Sequence, residues 1–186
     1  MRKQHMIARS YLAPSMLHFY RAVCDRLERA CHVEISLQQA VQDSLDDSSL
    51  LAGQVDLAFI CGLPLVRLNH RYRGLLQPLA APVMNDPRGD GRAVYFADLI
   101  VRRDSSYRTF DDLNGSRFCY NDVGSNSGHH MLRFHMLQQG YPQHFFGSHQ
   151  PSGAHQKSIY WVMDGKADCA AIDSTVLRQA EQDMPE

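Results

Sequence analysis

The form Gly-x-x-Asp-x-Ala occurs twice, as Gly53-Gln54-Val55-Asp56-Leu57-Ala58 and as Gly165-Lys166-Ala167-Asp168-Cys169-Ala170. Each copy closes a stretch of helical periodicity and opens an apolar run. Glycine takes the left-handed position that ends a helix. The aspartate enters the strand, and the small alanine leaves room for the helix above. A chain that repeats this junction must lay helices on sheets. The form also suits an ordinary junction within one sheet, so the echo alone is compatible with one lobe or two.

Around the first copy, Ile7 to Leu12 reads as a strand and Pro14 suits the first turn of a helix. Leu17, Tyr20, Val23, Cys24, Leu27 and Cys31 then recur at helical spacing. Val33 to Leu37 reads as a strand, Asp43-Ser44 as the cap of a short helix ending at Gly53, and Val55 to Cys61 as a strand ended by Gly62-Leu63-Pro64. This β-α-β-α-β order predicts a parallel sheet. A second set follows. Strands are predicted at Leu75 to Val83 and Val94 to Val101, around the turn-rich Asn85 to Gly91. Thr109 caps one turn before Gly115. A strand over Arg117 to Tyr120 and a helix over His129 to Gln139 come next. A short strand at Phe145 to Ser148, a helix over Ala154 to Asp164 and a strand over Ala167 to Ile172 complete the set. The boundary is expected between Arg67 and Gly74, giving lobes over 1–72 and 73–173, with 174–186 returning to the first.

The chain has 186 residues, is 44% hydrophobic and carries a formal net charge of −1. These values suit one large domain or two small lobes with a real core. They give no support for nucleic-acid binding. No apolar run is long enough to cross a bilayer. Met1-Arg2-Lys3-Gln4-His5 has the basic residues of a signal peptide without an apolar stretch behind them. The expectation is that the protein stays inside or that a leader precedes Met1. The 5 cysteines have no metal-ligand spacing. Cys61, Cys119 and Cys169 read as buried hydrophobes, and Cys24 and Cys31 as packing residues on one helical face.

The segment Gly124-Ser125-Asn126-Ser127-Gly128-His129 lies between a predicted strand and a predicted helix. A helix start leaves backbone N–H groups without partners and carries partial positive charge. Hydroxyls, an amide and glycines at that point make an anion cradle. The absence of a lysine after the second glycine excludes the mononucleotide-binding loop. A serine-rich helix cap explains the same residues without a ligand.

Other polar residues fall just past strand ends, where open α/β sheets bind ligands. They are Tyr11, Tyr95, His155 and Asp173, each with an ordinary structural explanation: packing for the tyrosines, an exposed helix start for His155, a helix cap for Asp173. The 10 histidines contain neither a His-Glu-x-x-His motif nor a pair at i, i+4, so no metal site is expected. Cys119 or Ser125 with His155 as base would make an enzyme, but neither lies in a nucleophile-elbow sequence. Neither catalysis nor a cofactor is expected.

Taken in order, Tyr95 to Ser105, Phe110 to Gly115, Ser125 to Gly128, Gly153-Ala154-His155 and Gly165 to Ser174 resemble the phosphonate/phosphate/phosphite substrate-binding proteins of ABC transporters. The resemblance runs from about residue 7 to residue 178. It implies an α/β, two-lobed, type II-like periplasmic-binding-protein fold, here with a shortened C-terminal part of the first lobe. It implies capture of a small phosphorus oxyanion between lobes that close about a hinge, a membrane permease as partner, no direct membrane insertion, and a periplasmic location. Carried over by motif, Ser125, Asn126, Ser127 and Gly128 form the oxyanion loop, with His155 and Tyr95 assisting. Asp173 meets a ligand amino group, and Tyr11 matches a first-lobe tyrosine. Asn126 stands where threonine is usual in the family, and Ala154 where serine is common before the histidine. A cytoplasmic ligand-sensing module of the same fold is the alternative.

Overall fold

The computed structural model describes residues 4–184. It divides into two compact units between Ala80 and Ala81.

The first unit is built on a three-stranded sheet of order β2-β1-β3, with β1 at His5–Ser10, β2 at Glu34–Gln39 and β3 at Leu57–Phe59. Both neighbours run parallel to β1, with Ala8 opposite Leu37 and Leu57. The parallel sheet read from the β-α-β-α-β order is therefore present. Pro14 opens a single 3₁₀ turn, Pro14–Met16, that leads into helix α1, Leu17–Cys31. Cys24 on α1 packs with Ala8 and Ile35 in the core. Cys31, the last residue of α1, is exposed, so only one of the two cysteines assigned to packing does that work.

Two helices of this unit differ from expectation. The short helix α2, Ser48–Leu51, is capped by Asp47 rather than by Asp43-Ser44. Gly62-Leu63-Pro64 opens a helix, α3 at Gly62–Arg71. Pro64 sits in its first turn, where the missing N–H has no intrahelical partner to lose. That helix occupies part of the segment where a lobe boundary was expected. No strand forms over 75–83. Pro78 and Pro82 cannot donate to a ladder, and residues 77–83 are all exposed.

The second unit holds a four-stranded sheet of order β4-β7-β5-β6. The strands are β4 at Ala97–Val101, β5 at Arg117–Tyr120, β6 at Ser148–Pro151 and β7 at Cys169–Asp173. β5 runs parallel to β6 and β7, and β4 runs antiparallel to β7. Helices α4, Met131–Gln138, α5, His155–Met163, and α6, Ser174–Asp183, complete it. Phe118, Tyr120, Leu132, Met136, Phe145 and Phe146 form the core. Phe145 stacks on Phe110 with ring centroids 5.0 Å apart, and Phe146 stacks on Phe118 at 4.9 Å. The aromatic run read as a strand is thus a core plug, and the strand begins after it, at Ser148. Helix α6 packs on α5, β7 and β4 within this unit. That differs from the expected return of 174–186 to the first lobe: Phe96 and Ser174 exchange hydrogen bonds of 2.9 Å that hold the start of α6 to the strand layer.

The two echoed segments turn out to be one device used twice. Gly53 and Gly165 both adopt positive φ, 69° and 70°. The Asp56 carboxylate accepts the Ile7 N–H at 2.8 Å while its own N–H donates to the Ile7 carbonyl at 2.9 Å. Asp168 does the same with Arg117, at 2.7 and 2.8 Å, and also pairs with the Arg117 guanidinium at 2.6 Å. Each aspartate therefore extends a parallel ladder by one residue at the start of β3 or β7.

Candidate anion site in the second unit

Because β5, β6 and β7 are parallel, their carboxyl ends lie at one edge of the sheet. β4 is antiparallel, so its amino end joins them: Ala97 is opposite Asp173. The segments leaving or entering that edge carry Tyr95, the loop from Asn121, the turn before His155, and Asp173. This is the edge at which open α/β sheets hold ligands. All the predicted site residues except Tyr11 belong to this unit.

The loop after β5 is folded on its own side chains. Asp122 accepts the Gly124 N–H at 2.8 Å. Ser125 then caps the following turn, its hydroxyl oxygen accepting the Gly128 N–H at 3.1 Å. The helix starts at Asn126, three residues before the position expected, as a π turn, Asn126–His130, that runs on into α4. The His130 N–H reaches the Ser125 carbonyl at 3.0 Å, which makes this turn wider than an α turn. The N–H groups of Asn126 and Ser127 fall in the first turn, where no intrahelical acceptor exists.

Two side chains from other segments, Tyr95 and His155, meet this turn. The buried Ser127 hydroxyl lies 3.4 Å from His155 Nε2. The Asn126 amide donates to the Tyr95 hydroxyl at 3.2 Å. His155 opens α5 and is held there by backbone bonds across the edge: Ser152 N–H to the Tyr120 carbonyl at 2.7 Å and Gly153 N–H to the Asn121 carbonyl at 2.8 Å. Beneath it, the buried Ser152 and Ser158 hydroxyls share a 2.6 Å hydrogen bond. Burial pushes the His155 imidazolium down from its ordinary value, against the opposing charges of Asp173 and Asp122 and the Ala171 carbonyl. The lowered value favours the neutral ring near pH 7, in which one nitrogen carries a proton and the other can accept one.

Asp173 caps α6: one carboxylate oxygen accepts both the Thr175 N–H at 2.8 Å and the Thr175 hydroxyl at 2.6 Å. Its charge nonetheless acts on His155. Gly128 leaves room for two side chains. A Cβ there would fall 1.9 Å from Asn121 Oδ1 and 3.1 Å from His155 Cε1. Asn121 was not singled out by sequence, since it precedes the glycine-serine segment and fits no motif. Among the described residues, no group of three or more His, Cys, Asp or Glu side chains is placed to hold a metal ion.

Tyr11 stands in the first unit, just past β1. Its hydroxyl donates to Asp47 Oδ2 at 2.7 Å. The Arg9 guanidinium donates to the same oxygen at 2.7 Å and to Gln38 at 2.9 Å. The other Asp47 oxygen takes the Ser49 and Leu50 N–H groups at 2.9 and 3.4 Å. Burial pushes the Tyr11 hydroxyl well above its ordinary value, and the Asp47 charge adds to this.

A family model described as the periplasmic phosphonate substrate-binding protein of ABC transporters matches residues 7–186. The chain belongs to that family. The phosphonate-binding family is one of solute-binding proteins rather than enzymes. Two solved structures share the fold. One is PhnD1 from Prochlorococcus marinus in complex with methylphosphonate, with TM-score 0.72 and 17% identity over 98% of this chain and 68% of that one. The other is the binding component of an ABC phosphonate transporter from Pseudomonas aeruginosa, with TM-score 0.79 and 14% identity over 99% of this chain and 62% of that one. A transferrin from Blaberus discoidalis is 29% identical over 58 residues, 31% of this chain and 8% of the transferrin. The chain thus spans about two thirds of the two binding proteins and a small part of the transferrin. No described helix is long and apolar enough to cross a membrane.

Proposed function

We propose that the second unit binds a small phosphorus oxyanion, phosphonate or phosphate, for delivery to the permease of an ABC transporter on the periplasmic side of the membrane. The observation that carries this reading is the pairing of Ser127 with His155, 3.4 Å apart, over the start of the helical segment 126–138. Hydroxyl, imidazole and first-turn N–H groups there are all suited to oxyanion oxygens.

On this reading Ser125, Asn126 and Ser127 donate to the phosphorus oxygens, and Gly128 lets the backbone sit close against Asn121. His155 adds a ring N–H. Tyr95 is held to the loop through Asn126. Asp173 offers negative charge at the rim for a ligand that carries an amino group. Tyr11 has committed its proton to Asp47, so its part in ligand binding would be that of an acceptor.

Calorimetric titration with phosphate, phosphite, methylphosphonate, 2-aminoethylphosphonate and sulfate tests the reading. At least one should bind, and Ser127→Ala should weaken that binding by about 1–3 kcal/mol, the usual cost of leaving a buried polar partner unpaired. A folded protein that binds none of them would falsify the proposal.

A further inference from the structure

The Asn121 amide has a defined orientation. Its Nδ2 donates to Asp122 Oδ2 at 2.8 Å, which turns the carbonyl oxygen the other way. That oxygen is fully buried and receives no hydrogen bond. A buried acceptor without a donor costs stability, so its position calls for an explanation. It fills the space that a side chain at position 128 would take: a Cβ on Gly128 would come within 1.9 Å of it. His155 Cε1 borders the same space, 3.1 Å from that Cβ position. The carbonyl oxygen and the imidazole Cε1 therefore border one point, 1.9 and 3.1 Å from it, which puts them no more than about 5 Å apart.

His155 Nδ1 is also fully buried and has no hydrogen bond of good geometry. The ring is neutral with the site as it stands, because burial outweighs the groups that favour its charge. Those groups are the Asp173 carboxylate at the end of β7, the Asp122 carboxylate in the loop after β5, and the Ala171 carbonyl. An oxyanion at Ser127 would add negative charge at Nε2. A partial negative charge at Cε1 favours the imidazolium in the same direction.

We propose that Asn121 is a positioning residue for His155, its side-chain carbonyl set against the ring so that capture of an oxyanion is accompanied by uptake of a proton from solvent onto the imidazole. This rests on the oxyanion reading of the site. The proton adds one N–H to the neutral ring, which then carries a donor on each nitrogen. Asn121 does not touch the ligand; it acts through His155.

The test compares the full chain with Asn121→Leu, which keeps the bulk and removes the dipole, and Asn121→Asp, which makes it a full charge. NMR titration of the His155 Cε1 proton without ligand should show the pKa lowered by Asn121→Leu and raised by Asn121→Asp. A merely structural role would not move the two variants in opposite directions. Calorimetry of methylphosphonate in two buffers of different ionisation heat should show net proton uptake at pH 7 that falls in Asn121→Leu. The affinity of that variant should be weaker by about three- to tenfold at pH 7, with a difference that shrinks as the pH falls through the free ring's own titration. Unchanged His155 titration in both folded variants overturns the proposal whether or not an anion binds. Failure of the wild type to bind methylphosphonate or phosphate, with the two titration shifts present, overturns the oxyanion reading and leaves the placement of Asn121 intact. If Asn121→Leu does not fold, Asn121→Ala takes its place in the same comparison.

Discussion

The aspartates of the echoed segments do the same work in both units, whereas the polar side chains beyond the strand ends do not. Asp56 and Asp168 each close a ladder with a neighbouring strand. Past the strand ends the units diverge. In the first, Asp47 accepts four hydrogen bonds, from Arg9, Tyr11 and two N–H groups at the start of α2, so both carboxylate oxygens are saturated. In the second, Ser127 and His155 share one long contact, and Asn121 Oδ1 and His155 Nδ1 lack partners; in the first, Ser15 Oγ and Gln39 Oε1 lack partners too, but they lie outside the Asp47 cluster. Buried polar groups are ordinarily satisfied. The saturated Asp47 therefore reads as architecture, and the sparsely bonded Ser127–His155 pair is the one proposed to take a ligand.

The contrast is broken most severely at Asp47. Its removal leaves the Arg9 guanidinium, whose side chain is 19% exposed, without its carboxylate. Stability should fall by about 3 kcal/mol, the low end for breaking a buried ion pair because Arg9 retains some access to water. Urea unfolding of Asp47→Ala measures this. Oxyanion affinity should stay within twofold of wild type. A tenfold loss of affinity in a variant that remains folded would mean that the first-unit cluster belongs to the binding machinery.

Gly128→Ala attacks the open cluster from within. The added methyl would overlap Asn121 Oδ1, so either the amide or the π turn must move. Overpacking of this kind costs about 1–3 kcal/mol. Unlike Asp47→Ala, it should also weaken oxyanion binding, because Ser127 and His155 flank the same point. Thermal unfolding and calorimetry on one preparation separate the two effects. Full affinity with reduced stability would show that the cradle does not depend on this close approach.

These contrasts explain what could be read from the residues alone. The parallel first sheet followed from alternating apolar runs and glycine stops, which depend on local chemistry. β5 falls on the predicted Arg117 to Tyr120 because a short aromatic run is bounded by Gly115-Ser116 and Asn121-Asp122. Phe145 and Phe146 show the same apolar signal, yet their rings are spent on stacking with Phe110 and Phe118. Gly62-Leu63-Pro64 looked like a stop and is a start, since proline fits a first helical turn as well as a chain reversal. Ser125 was legible as a cap because capping is local. Asn121 was not, because its place depends on the missing side chain of a residue seven positions on and on a ring from α5.

Tyr11→Phe makes the smallest and finest cut. It removes one donor from Asp47 while leaving Arg9 and the two backbone N–H groups in place. The loss in stability at neutral pH should be about 0.5–1.5 kcal/mol, the net worth of one hydrogen bond. Burial pushes the Asp47 carboxyl upward, but the bonds from Tyr11, Arg9 and the backbone outweigh it and hold Asp47 below its ordinary value. A carboxylate held low in the folded state contributes stability above the ordinary carboxylate range, and that contribution disappears as the pH falls through its folded value. Without the tyrosine donor the folded value rises toward the unfolded one. The acid limb of the stability curve should therefore begin at a higher pH in Tyr11→Phe than in wild type, with the neutral-pH curves separated only by the lost hydrogen bond. Denaturant titrations at several pH values between neutrality and pH 3 follow both features. If oxyanion affinity instead drops as far in Tyr11→Phe as in Ser127→Ala, the tyrosine hydroxyl is a ligand group, and the first-unit cluster is no more closed than the second.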